Sequence, residues 1–493
     1  MIPIQRSAEP LLLRIGFGRT GFKRRRSEAG LRAGAVTLAL LGAIALLLAL
    51  GASPAAAVSY VPGTPASLCT GTGVAAGECG EIKGVAVDTS NGNVYAVDTS
   101  NLRINQFNSS GAFVRAFGAG VADGATTAAQ VCTSTCFLGL SSGTGAIGTA
   151  ARGIAVDPTT HVVYVVSAAA RVAYFDGLAG TYLGQTEGTG SVAPSTDVGA
   201  PEKFAATTGI AVDTSTATHY VYMTINVAKS AVNQNQTLIN KFQAGPTGLG
   251  AGSYLCQITG TAVTTKSETA ASATECGGNG VAAHKDGAFE GLQMGSTTAG
   301  SFQAGGNLTT DSSGNVFIAE SVGNAPPANR HVISQFNSSG DFVRQFLPGG
   351  GGISATEPRP EGVAALPNGN LLVSDGNASV GQGGKRVQEF QPSTVPVPPL
   401  TATALSEFGL GTITGGSYGV AVDATGANVY VGDRGGKQVW KFSVLPSPSV
   451  TGLDPIQGPA AGGNTVKITG TNLTGATKVE FGTTVVNSPF TSN

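Results

Sequence analysis

The sequence predicts an all-β protein: a six-bladed β-propeller followed by an incomplete β-sandwich at the C-terminus. Three observations predict it. A strand–turn–strand unit recurs six times between residues 84 and 443. Glycine supplies 73 of the 493 residues and only 12% are charged, against usual fractions of about 7% and 25%. Glycine weakens helices and charged residues decorate their surfaces, so long helices are disfavoured. From Pro448 onward, short strands alternate with Gly/Pro turns, as in a sandwich. With 41% hydrophobic residues and a net charge of −1, the chain can bury a core and is not of the disordered class.

The repeat opens with a short apolar strand: Gly84–Asp88, Gly153–Asp157, Gly209–Asp213, Asn307–Asp311, Gly362–Leu366 and Gly419–Asp423. In four copies Gly and Asn follow, as in Asn91, Gly92 and Asn93; such residues tolerate the positive φ of tight hairpins. A second strand comes next, as in Val94–Val97 and Val429–Val431. The third strand ends in Phe107, Phe175, Phe242, Phe336, Phe390 or Phe442, and three residues earlier stands Ile104, Val172, Ile239, Ile333, Val387 or Val439. Positions three apart on a strand face opposite ways, so both faces are buried. A fourth strand follows in most copies, as in Phe113–Phe117.

Sheets buried on both faces cannot stand alone; stacked between neighbours, they become the blades of a propeller. Repeat starts at 84, 153, 209, 306, 362 and 419 leave two long gaps, read as insertions near 119–150 and 259–302. The sixth copy reaches Phe442 and then meets Pro446 and Pro448, with no fourth strand of its own. Val58–Val61 is expected to supply it and close the ring, leaving no open sheet edge.

The order Gly84 to Asp88, Gly92 to Asp98, Arg103 to Phe107 and Gly111 to Gly118 resembles the NHL repeat. Six copies over roughly 84–443 imply a six-bladed NHL propeller. After it, Leu453, Pro455, Gly458, Gly462, Val466–Gly470 and Val479–Gly482 look like the opening of an IPT/TIG immunoglobulin-like domain. Such sandwiches run to about 100 residues, so residues 448–493 are expected to be a truncated one.

The first 57 residues hold eight basic and two acidic groups, so the remainder of the chain carries −7. An acidic body disfavours nucleic acid and anionic membrane surfaces as partners, since both recruit Lys and Arg. Lys23 to Arg26 precede an apolar run, Ala33–Leu50, and then Ala55–Ala57. Basic, apolar, small-residue order is that of a signal peptide, cut near Val58; an uncleaved anchor is the alternative, because the run is just long enough to span. The expected location is extracellular or cell envelope, in a bacterium, with no membrane contact beyond this segment. Six cysteines fit that compartment, and the expected pairs are Cys69–Cys79, Cys132–Cys136 and Cys256–Cys276. No metal is expected there: the spacing of Cys132 and Cys136 departs from the usual two residues and no His is near.

Asp88, Asp157, Asp213, Asp311 and Asp423 end first strands. A ring of metal ligands is one reading; the preferred one is turn capping, in which Asp bonds the backbone two residues on. Asp98, Glu320, Asp375 and Asp433 end second strands and face Arg103, Arg330, Arg386 (or Lys385) and Lys437 across the hairpin. They are expected either as cross-hairpin ion pairs, worth up to about 1 kcal/mol if exposed, or as a polar binding rim on one mouth of the ring. Some enzymes similar to NHL propellers hold a metal with His near the channel. Here His161 and His219 fall at turns, His284 lies in an insertion, and His331 opens a third strand. There is no Gly-x-Ser-x-Gly, no phosphate loop and no Cys–His pairing. The expected function is an exported, non-enzymatic binding or scaffold protein without a cofactor, presenting its loops to a protein or glycan. A metal-dependent lyase or hydrolase in the channel and a structural cell-envelope spacer are the alternatives.

Overall fold

The third strand of every repeat carries two apolar residues that must face opposite ways, and this spacing builds the fold. The computed structural model describes residues 12–13, 59–149, 151–167, 171–187, 206–229, 234–250, 253–258, 276, 293–294, 307–321, 331–348, 360–376, 385–392, 401–402, 404–445, 449–458, 463, 465–473, 478–481 and 484–487. Phe107 belongs to one apolar cluster, with Val94, Tyr430 and Val439; Ile104 belongs to another, with Phe117, Val163 and Phe175. The other five pairs divide the same way. Each blade gives its Phe to the cluster shared with the preceding blade and its Ile or Val to the next. Six inter-blade clusters therefore follow one another and return to the first. Burying each such side chain stabilises by about 1.5–3 kcal/mol.

The first blade is Ile82–Val87, Val94–Asp98, Arg103–Phe107 and Phe113–Ala119, antiparallel throughout. The next four begin at Ile154, Ala206, Leu308 and Pro360. The sixth is Ser417–Val422, Asn428–Asp433 and Gln438–Val444, completed by Tyr60–Ser67. First strands neighbour one another around the axis, that of the sixth blade touching that of the first. The repeated glycine has a physical cause in this crowding. A Cβ on Gly84 would fall 2.1 Å from the Arg152 carbonyl oxygen, and one on Gly362 2.2 Å from that of Tyr418.

Ring closure uses the N-terminal segment, as the missing fourth strand required. Tyr60 pairs with Val444, Val61 with Ser443 and Pro62 with Phe442, and after an irregularity Ser67 pairs with Trp440. The strand begins two residues later than expected and runs further: Val58 lies outside the described residues and Ser59 is not in the strand. Tyr60 is buried against Phe408, with ring centroids 4.6 Å apart.

The three expected disulfides are formed: Cys69–Cys79, Cys132–Cys136 and Cys256–Cys276. The first insertion is not only a tethered loop. Ala129–Cys132 adds a fifth strand to the first blade, pairing with Phe113–Ala119, and Val121, Ala146 and Ile147 are buried. That strand is four residues long and its partner, a blade edge, exists only in the folded chain. Of the second insertion, Cys276 and Gln293–Met294 are described; the latter pairs with Gln234–Gln243.

Contacts separate Ala57–Val444 from a second unit of Met1–Ala56 and Leu445–Asn493. In that second unit, Ser449–Asp454 pairs with Lys467–Thr471 and Lys478–Phe481 with Thr484–Asn487, both antiparallel. Leu12–Leu13 pairs in parallel with Glu480 and Phe481. The rest of the expected export segment lies outside the described residues, Ala33–Leu50 included. No helix among the described residues is long and apolar enough to cross a membrane.

Candidate functional site

Antiparallel strands give the ring two faces of different make. First strands end, and second strands begin, on one face, here called the turn face. Second strands end, third strands begin and blade-to-blade connections cross on the other, the mouth face. On the turn face each aspartate caps its own turn. Asp88, Asp157, Asp213, Asp311 and Asp423 accept from the backbone N–H two residues on, at 2.8 to 3.1 Å. In two copies the second carboxylate oxygen reaches the next blade: His161 Nδ1 is 2.7 Å from Asp88 Oδ2 and His219 Nδ1 is 2.8 Å from Asp157 Oδ2. These histidines join blades and do not converge on the channel. The side chain of His331, and His284 altogether, lie outside the described residues.

The mouth face departs from the expected row of cross-hairpin pairs. Asp98 is buried and accepts from the Gly80 and Asn101 backbone N–H groups and from the Asn101 and Asn105 side chains. Burial pushes its carboxyl above the usual aspartate range, against the pull of those donors and of Arg103. Arg103, also fully buried, makes no ion pair with it within 4.0 Å; it donates to the Val74, Ala75 and Glu78 carbonyls, in the loop closed by Cys69–Cys79. Asp433 likewise accepts from the Thr414, Gly415 and Gly436 N–H groups and from the Trp440 indole. Lys437 is exposed, at a positive φ of 55°, and is not its partner. Among the described residues Asp375 alone keeps the expected form, with Arg386 Nε at 3.5 Å; Arg386 also holds Glu407 at 2.7 Å. The side chain of Glu320 and all of Arg330 lie outside the described residues. The physical reason for the correction is reach. A buried carboxylate takes the nearest backbone donors, and here a neighbouring loop supplies them.

Sequence reasoning missed the groups that meet at the axis. The residue before the repeated glycine is Lys83, Arg152, Glu361 or Tyr418 in the first, second, fifth and sixth blades. Equivalent positions in a closed ring form a circle around its axis, so four charged or polar residues at one repeat position were the available signal. Arg152 Nη1 lies 3.7 Å from Glu361 Oε2. Their blades are three apart in a ring of six, so this pair spans the channel. Tyr418 is flanked by two guanidiniums, Arg152 at 5.8 Å and Arg434 at 5.5 Å from its ring centre. Arg434 donates to the Tyr418 hydroxyl at 3.0 Å and to Glu81 at 3.3 Å. Lys83 Nζ is 3.7 Å from Glu81 and donates to the Thr149 carbonyl at 2.9 Å. Burial lowers the Lys83 ammonium below the ordinary lysine value; Glu81 opposes this, and Arg152 and Arg434 reinforce it. Among the described residues no three His, Cys, Asp or Glu side chains come together as a metal site would need.

Comparison with known proteins bears on the two units unequally. Residues 448–493 match the IPT/TIG domain family. No curated protein matches the chain. Solved structures resemble it at the level of fold. A protein of unknown function from Bacteroides thetaiotaomicron is 13% identical over 74% of this chain and 70% of its own, with a TM-score of 0.40. A gluconolactonase from Xanthomonas campestris is 10% identical over 74% and 86%, with a TM-score of 0.38. Hydrazine synthase from Kuenenia stuttgartiensis is 12% identical over 76% and 79%, also at 0.38. Likenesses this distant carry no argument about chemistry. The chain is thus a six-bladed propeller followed, over residues 448–493, by a TIG domain of immunoglobulin-like fold.

Proposed function

We propose that the protein is an exported, non-enzymatic binding scaffold: an NHL-type propeller that presents the connections on its mouth face to a protein or glycan. One observation carries this reading. The buried aspartates of that face are spent on holding loops, Asp98 the approach to the first blade and Asp433 that to the sixth. Cys69–Cys79 and Cys132–Cys136 pin two connections further. Loops fixed before binding lose little entropy on binding, which favours affinity. Phe137 and Leu138 stand 41% and 49% exposed directly after Cys136, and aromatic side chains such as Phe are enriched at interfaces. Of the expected rim residues, Asp98, Arg103 and Asp433 enter this proposal as supports of the binding loops, Asp375 as the support of Arg386, and Arg386 and Lys437 as groups a partner could meet. Export is supported by the disulfides, which persist in oxidising compartments.

The test is saturable binding of the purified, disulfide-intact protein to an array of cell-surface glycans and to isolated envelope proteins. Binding that Phe137→Asp with Leu138→Asp abolishes supports the reading. A stoichiometric metal held in the channel, together with turnover of a lactone or uronide, would replace it with the hydrolase or lyase alternative. N-terminal sequencing of secreted material should begin near Val58.

A further inference from the structure

We propose that the mouth of the axial channel is a receptor for a single carboxylate group, carried by a small acidic ligand. The juxtaposition behind it is the circle of Lys83, Arg152, Glu361 and Tyr418, backed by Glu81 and Arg434. The site lies apart from the loop tips of the preceding section, and the proposal does not depend on their binding a partner.

Charge sets the class of ligand. Among the described residues these six groups comprise three cations and two carboxylates, an excess of one positive charge. In sequence, the same repeat position in the third and fourth blades is Thr208 and Gly306, neither of them charged. The cluster is partly wet: the side chains of Glu361 and Lys83 are 2% and 11% exposed, those of Arg152, Glu81 and Arg434 26%, 35% and 41%. A surplus charge held away from water is costly until an opposite one arrives. A monoanion neutralises the cluster, whereas a phosphate dianion would overshoot beside Glu81 and Glu361.

Geometry sets the binding mode. Arg152 and Glu361 face each other across the axis at 3.7 Å, longer than a charge-assisted hydrogen bond of about 2.7–2.9 Å. Nη1 of Arg152 is buried and has no hydrogen-bond partner among the described residues. A buried donor left unpaired is costly, so rotation of that guanidinium to meet a planar carboxylate is favoured. Arg434, 41% exposed, and Lys83 offer donors from the adjoining wall, and the Arg152–Glu361 pair forms the floor. The ligand binds at the mouth and does not pass through.

The experiment is isothermal titration of the disulfide-intact protein at low salt with four probes: D-galacturonate, acetate, D-galactose and inorganic phosphate. Galacturonate should bind saturably, with a dissociation constant of about 1 mM or tighter, and galactose should not. Acetate binding alongside it assigns the bare carboxylate as sufficient; acetate failing while galacturonate binds assigns an acidic sugar. Arg434→Gln and, separately, Lys83→Gln should each weaken galacturonate about tenfold, in protein whose thermal unfolding without ligand is cooperative. Two independent variants keep the test open if one does not fold. Three results overturn the proposal: no saturable binding of either carboxylate, galactose or phosphate matching galacturonate, or both folded variants binding as wild type. Loss of glycan-array binding in the Phe137/Leu138 variant with galacturonate binding intact would show that the two sites are separate.

Discussion

The two faces of the ring both carry aspartates on strand ends and use them for different ends. On the turn face, Asp88 and its equivalents bond a backbone group two residues away. On the mouth face, Asp98 and Asp433 bond backbone groups three residues on and, in addition, groups 18 and 19 residues away in loops that approach the same blade. The turn face repeats one local cap blade by blade, joined in two copies to the next blade through His161 and His219. The mouth face is assembled from contacts specific to each blade. The difference teaches why a repeat protein varies on one face while its turns stay alike: a local cap closes wherever the turn forms, whereas a long-range brace needs its own loop.

This contrast is open to measurement. The largest effect is expected at Asp98. Asp98→Ala strands the Gly80 and Asn101 N–H groups and two amide side chains, and should cost about 3 kcal/mol or more in urea unfolding. If it cost no more than the same change at Asp88, the distinction between the faces would fail. The same carboxylate sharpens the comparison through pH. Its folded-state pKa is raised by burial, so its contribution to stability is fully present below the unfolded value of about 3.9 and is lost as pH rises through the folded one. Wild type should therefore gain on Asp98→Asn when pH falls from about 7 to about 5. Urea midpoints for both proteins at the two pH values read this directly, and a constant difference would refute it.

Replacing Cys69 and Cys79 with Ser frees the loop that receives Arg103 and should cost about 2–3 kcal/mol, again by urea unfolding. On the turn face, Asp88→Ala should cost about 1–2 kcal/mol, because only local donors and His161 lose their acceptor. The smallest effect is His161→Ala, about 1 kcal/mol. It should leave the turn itself intact, visible as unchanged hydrogen-exchange protection of the Ser90 amide.

How much of this was legible follows the same line. The inter-blade wedge was readable because Phe and Ile or Val, three apart, specify two buried faces within one strand. The disulfides were readable because each closes a short span, and the closing strand because a blade lacked an edge. The braces at Asp98 and Asp433 were not, since nothing near them in sequence names the Gly80 or Thr414 loop. The fifth strand Ala129–Cys132 was hidden because it is only four residues long and its partner is an edge created by folding. Arg152 and Glu361 stand 209 positions apart and met only because their blades oppose each other.

By itself the sequence determined the unit and its number: strand order, turn chemistry, and an apolar pair on the third strand that recurs in all six copies. These are set by periodicity and steric preference within about ten residues. Tertiary structure alone decided which charges were buried, which loop each aspartate holds and which side chains share the axis. Those depend on a closed circle, and closure brings residues together by angle about the axis and not by distance along the chain.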